Sequence, residues 1–170
     1  MRIAVPLLLA LSALPIAGCA TAGTAPATAR PDAKLFDPAA DAGAQVAAAR
    51  ERSTVSGKPL LLVLGANWCH DSTALAGWLE TPRFRQLVAD GFELVFVDVG
   101  SPQTGEARNQ NIARRFGIDR MKSTPALVVV SPQGQVLNAR TATTWGNAAS
   151  RSEDAIYREI ASYAPRSRAG

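Results

Sequence analysis

The run Leu60-Leu61-Leu62-Val63-Leu64 is apolar at every position, and it leads through Gly65-Ala66-Asn67 into Trp68-Cys69-His70-Asp71-Ser72. Behind it stand the helix formers Thr73-Ala74-Leu75-Ala76-Gly77-Trp78-Leu79. A short apolar run bounded by turn residues reads as a buried strand, and here the strand hands a cysteine to the first turn of a helix. First-turn amides have no intrahelical partner, and together with the positive end of the helix dipole they stabilise an anion. A thiol in that position tends to ionise near neutral pH. Cys69 is therefore the residue around which a function has to be built.

Residues 1–18 read as a targeting segment. Met1-Arg2 is a short positive start, and Ile3 to Ile16 form an apolar stretch too short to span a bilayer comfortably. The segment ends in Ile16-Ala17-Gly18-Cys19, which resembles the lipobox of bacterial lipoproteins. That resemblance implies cleavage before Cys19 and acylation of its sulfur, with the mature chain carrying lipid. Ala20 follows the cysteine where an Asp often signals inner-membrane retention, which points to the outer membrane, periplasmic side. Residues 19–36 are then the lipidated cysteine and a flexible tether, rich in Ala, Thr, Gly and Pro over its first half.

The formal charge of +4 falls to +3 once Arg2 is removed with residues 1–18. No Lys/Arg-rich run with interleaved aromatics accompanies it, so nucleic acid is not an expected partner. With Cys19 lipidated, Cys69 is the sole free thiol of the chain's two cysteines, and no intramolecular disulfide can form.

The remaining chain suits one domain over residues 37–164, with a frayed tail at 165–170. An alanine-rich helix is expected from Pro38 to about Arg52, with Asp37 as its N-cap, and Gly57-Lys58-Pro59 opens the strand at Leu60. After the cysteine helix, Thr81-Pro82 starts a second helix to about Ala89. Asp90-Gly91 then turns the chain into a strand over Phe92–Val99. Glu106 to Phe116 reads as a helix ended by Gly117. Ala126–Val130 is a strongly apolar strand, Ser131-Pro132-Gln133-Gly134 a turn, and Gln135–Ala139 a final strand. Ser152–Tyr163 closes as an amphipathic helix.

Three of these features carry a family resemblance: Trp68-Cys69-x-x at a helix start, Ser123-Thr124-Pro125-Ala126 before an apolar strand, and Ser-Pro-Gln-Gly at a terminal hairpin turn. Over residues 38–163 the chain resembles the thioredoxin-like family. The resemblance implies an α/β thioredoxin fold, with a central mixed β-sheet flanked by helices. It also implies a cis peptide before Pro125 that lays the backbone of Thr124 beside Cys69, where an extended substrate peptide would bind. Trp68, Thr124 and Pro125 are accordingly the expected substrate-binding residues.

The chain departs from that family at two places. Ser72 stands where a dithiol oxidoreductase has its second cysteine, and Val63 stands where thioredoxins keep a buried acid that serves that cysteine. A thiolate that attacks a disulfide forms a mixed disulfide, which a second thiol must release. Without a cysteine at 72, release depends on an outside thiol or on the substrate's own second cysteine. Ser72 is left as a candidate donor to the Cys69 thiolate.

Beside Cys69, His70 has two readings: an imidazolium that stabilises the thiolate, or a solvent-exposed turn residue. Asp71 is expected to cap the helix. Cys69, His70 and Asp71 do not form a triad, because adjacent helical residues point about 100° apart. Metal binding is not expected, since a second cysteine and a distant histidine are both missing. No cofactor is needed. Trp78 is expected in the core and Trp145 in an exposed or half-buried loop.

Two function classes follow. The first is a membrane-anchored envelope protein performing monothiol thiol-disulfide exchange or isomerisation through Cys69, Ser72 and His70, on envelope proteins with cysteines or extended segments. The second is a redox-inactive binding module that holds envelope polypeptides in the Trp68, Thr124 and Pro125 groove.

Overall fold

The structure, a computed structural model, describes residues 30–165. The expected signal peptide, Cys19, the tether before residue 30 and the tail beyond Pro165 lie outside the described residues. A three-stranded mixed sheet forms the centre, with β1 (Leu60–Gly65) between β2 (Glu93–Asp98) and β5 (Ala126–Val130). β1 runs parallel to β2, from Leu60 opposite Glu93 to Gly65 opposite Asp98. Against β5 it is antiparallel, from Leu60 opposite Val130 to Leu64 opposite Ala126.

Both faces of β1 are covered, which is why its sequence does not alternate. Leu60, Leu62 and Leu64 pack under α1 (Ala42–Ser56) and α4 (Gln110–Arg115). Leu61 and Val63 pack under α2 (His70–Leu79), α3 (Pro82–Gly91) and α5 (Glu153–Ala161). All five β1 leucine and valine side chains are fully buried, each contributing about 1.5–3 kcal/mol from burial. Val63, at the position of the missing acid, is part of that apolar core.

Several boundaries differ from expectation. α1 begins at Ala42 with Asp41 as its cap, whose carboxylate accepts from the Ala44 amide at 2.9 Å. Asp37 instead forms its own turn, accepting from Ala39. Both residues suit a cap, and Pro38 pointed to the wrong one. α3 runs on through Asp90-Gly91. The expected helix over 106–116 is shorter: Glu106–Ala107 form β4, paired with β3 (Gly100–Ser101), and α4 starts only at Gln110. Asp98 decides this, since its carboxylate accepts from the Gly100 amide and from Arg108, each at 3.0 Å, and folds the chain into a hairpin.

The expected strand over 135–139 shrinks to a single bridge between Val130 and Val136. Beyond it the side chain of Asn138 takes over the ladder, accepting from Val129 N and donating to Leu127 O, both at 2.8 Å. The edge of β5 thus keeps its backbone partners without a full strand.

Residues 30–36, placed in the tether by composition, lie on the domain. Phe36 is fully buried, stacked edge-on against Phe96 at 5.5 Å. Its backbone N–H and C=O pair with the Asn67 side chain at 3.1 and 2.8 Å, as a neighbouring strand would. Ala33 N donates to Thr73 O on α2 at 3.0 Å. Gly77 permits the crossing, because a Cβ there would come within 2.2 Å of the Pro31 carbonyl oxygen.

Candidate active site

Cys69 sits one position earlier than expected, at the N-cap of α2 rather than in its first turn. Its backbone N–H donates to Ala66 O at 3.1 Å and its carbonyl accepts from Thr73 at 3.0 Å, so the turn and the helix both grip the residue. The side chain makes no capping bond, which leaves the first amides of α2 without an intrahelical partner beside the sulfur. Gly65 at the end of β1 makes room for this turn, since a Cβ there would press on the Phe36 ring at 2.6 Å.

The peptide between Thr124 and Pro125 is cis, as the resemblance implies. It brings the Thr124 carbonyl to 3.3 Å from Cys69 Sγ, which donates to it. Cys69 and Thr124 are both largely buried. Thr124 lines a cleft of about 480 Å³ together with Trp68, Asp71, Ser123 and Lys122, the first of which is the chain neighbour of Cys69. Trp68 stands at its rim, 59% exposed, with its indole N–H donating to Gly100 O at 3.1 Å. The far wall is the β3–β4 hairpin, through Ser101, Gln103 and Thr104. The Asp98–Arg108 pair therefore acts on the site indirectly, by fixing the carbonyl that holds Trp68.

Ser72 does not serve the sulfur. Its hydroxyl is fully buried and has no hydrogen-bond partner, because position 72 lies on the inward side of α2. His70 is exposed, and its Nε2 meets a guanidinium nitrogen of Arg30. Asp71 does not cap α2; its carboxylate accepts from the Ala149 amide at 2.7 Å and ties the helix start to a short 3₁₀ turn at Ala148–Ser150. Trp78 is in the core as expected. Trp145 is fully buried rather than exposed or half-buried, packed in the same core as Trp78, and Arg151 stacks on it at 4.1 Å.

Arg30 and the hairpin wall were not read from the sequence. Arg30 falls in a stretch whose composition signals a linker, and the hairpin strands are two residues each, too short for a periodic signal. Gly100 and Gly105, with φ of 62° and 90°, are local signs of the turn. Among the described residues no three His, Cys, Asp or Glu side chains gather where they could hold a metal.

A family model described as thioredoxin-like matches residues 41–132. The crystal structure of a disulphide isomerase from Xylella fastidiosa Temecula1 is similar at 35% identity and a TM-score of 0.69, over 76% of this chain and 96% of that one. Comparison with curated proteins found no match.

Proposed function

Because the chain belongs to the thioredoxin-like family, we propose that it exchanges disulfides through Cys69 alone, as a lipid-anchored protein of the bacterial envelope. The observation that carries the reading is the sulfur of Cys69 at the N-cap of α2, 3.3 Å from the carbonyl before the cis-proline. The likeness to a disulphide isomerase supports exchange chemistry of this kind.

In the exchange, the Cys69 thiolate attacks one sulfur of a substrate disulfide. The Cys69–substrate S–S bond forms, the substrate S–S bond breaks, and the second substrate sulfur leaves as a thiolate. The thiolate of Cys69 returns when the departed sulfur, another substrate cysteine or an external thiol attacks the mixed disulfide. The first route restores the original disulfide, and the second isomerises it; neither transfers electrons overall. The third consumes one thiol and leaves it joined to the substrate. A buried, unpartnered Ser72 offers no intramolecular release.

The test is capture. Mixed disulfides with envelope proteins are expected on non-reducing gels with the wild-type chain and are lost in Cys69→Ser. Identical partners recovered with both would instead favour the binding module, a reading supported by the burial of Cys69 and the exposure of Trp68. The anchor rests on Ile16-Ala17-Gly18-Cys19. Labelled palmitate should enter the wild type and not Cys19→Ser; equal labelling removes the anchor.

A further inference from the structure

Arg30 precedes every element of the fold, yet its guanidinium reaches the start of α2. One terminal nitrogen meets His70 Nε2, and the other donates to Ala149 O at 3.1 Å. The residue is not placed there by chance contact of a loose end. Ala33 is bonded to Thr73, Phe36 is clamped by Asn67, and Pro31 crosses α2 at Gly77.

A guanidinium has donors only. For this contact to be a hydrogen bond, the His70 nitrogen facing it is the acceptor and the ring's own N–H is at Nδ1. A protonated ring would set one cation's N–H against another's. Of the charged groups around this contact, Asp32 lies 3.6 Å from Arg30, and Asp71 is committed to the Ala149 amide. Lys122 lines the other side of the cleft. The Arg30 side chain is 29% exposed, and its Nε is buried with no partner. A partly desolvated cation with an unused donor favours negative charge nearby.

We infer that Arg30 is a positioning residue of the exchange site: it holds the His70 ring through Nε2 and, with Asp32 as its counter-ion, sets a guanidinium beside the start of α2, where the sulfur of Cys69 becomes an anion during exchange. The inference rests on Cys69 being the nucleophile proposed above. It changes the role of His70, whose ring is a hydrogen-bond partner of Arg30, and it makes the segment before α1 part of the active site.

The test uses the whole chain in detergent with Cys19→Ser, so that Cys69 is its single thiol, and compares Arg30 with Arg30→Ala, Arg30→Gln and Arg30→Lys. His70 is the only histidine in the sequence, so its ring nitrogens are read directly by ¹⁵N NMR. The Nδ1-protonated tautomer is expected with Arg30, and a shift to the Nε2-protonated form in Arg30→Ala and Arg30→Gln. The rate of Cys69 alkylation at pH 6 should fall about tenfold in both, the lower end of what one nearby opposite charge does to an anion's population. Arg30→Lys should recover most of the rate.

Unchanged tautomer and unchanged rate in a folded Arg30→Ala or Arg30→Gln overturn the inference. If Arg30→Ala fails to fold, Arg30→Gln against Arg30→Lys decides, because both keep a polar, flexible side chain and only lysine keeps the charge. A wild-type rate no greater than that of free cysteine sinks the nucleophile reading itself; the tautomer then still reports on whether Arg30 holds His70.

Discussion

At position 72 one atom separates two chemistries. The Ser72 hydroxyl is buried without a partner, and an orphaned polar group of this kind costs about 1–3 kcal/mol. Sulfur is a weaker hydrogen-bonding group and tolerates the same site better. Ser72→Cys should therefore fold at least as well as wild type, and it should add the resolving thiol that Cys69 lacks. The expected outcome is measurable turnover of a model disulfide with a dithiol reductant, where wild type shows little. Absence of any gain would mean that the cleft around Cys69 cannot support resolution, and the binding module becomes the better reading. That Cys69 and the Thr124-Pro125 loop meet was legible from motif order and separation. That the hydroxyl of Ser72 turns inward depends on how α2 is rolled against the sheet, and spacing does not carry that.

The element that most exceeds its sequence signal is the segment 30–36. Its backbone joins the domain through the Asn67 side chain and through Thr73, and Phe36 fills the space above Gly65. Gly77 is the point of closest approach. Alanine is favoured over glycine in a helix interior by about 0.8–1.0 kcal/mol, so propensity alone makes Gly77→Ala stabilising. A Cβ 2.2 Å from the Pro31 oxygen predicts the opposite. Gly77→Ala should lose about 1–2 kcal/mol in denaturant unfolding and expose residues 30–36 to limited proteolysis while the sheet stays intact. A variant more stable than wild type would show that the segment adds little. The same reasoning covers the misread final strand: Asn138 is a poor strand residue by propensity, and only the position of Leu127 and Val129 opposite it turns its amide into a ladder.

For the whole molecule, the face opposite α1 closes where α3 meets α5. Arg83 binds Glu153 and Asp154 at 3.0 and 2.7 Å and lies over the Tyr157 ring at 4.0 Å. The Arg83 hydrogen bond, reinforced by its charge, holds the Asp154 carboxyl below its ordinary value of 3.8, and the same pair holds the guanidinium above its own. A carboxyl depressed in the folded state stabilises the fold above its unfolded value, and that contribution disappears as the pH falls through the folded one. Wild type should accordingly lose more stability than Asp154→Asn between about pH 5 and pH 2, and salt should shrink the difference because the pair is exposed. Parallel pH profiles for the two proteins would show that the contact contributes nothing.

What the sequence determined by itself depends on neighbours along the chain. The apolar run at Leu60–Leu64, the cysteine at a helix start, the proline loop at Thr124-Pro125 and the alternation of helices and strands follow from local pattern, and they were enough to reach the α/β fold. The tertiary structure decided which polar side chains stand in for backbone, which end of the chain lies on α2 and which cation faces His70. Those depend on groups separated by 31 residues at Phe36 and Asn67 and by 40 at Arg30 and His70, and only the closed sheet brings such groups together.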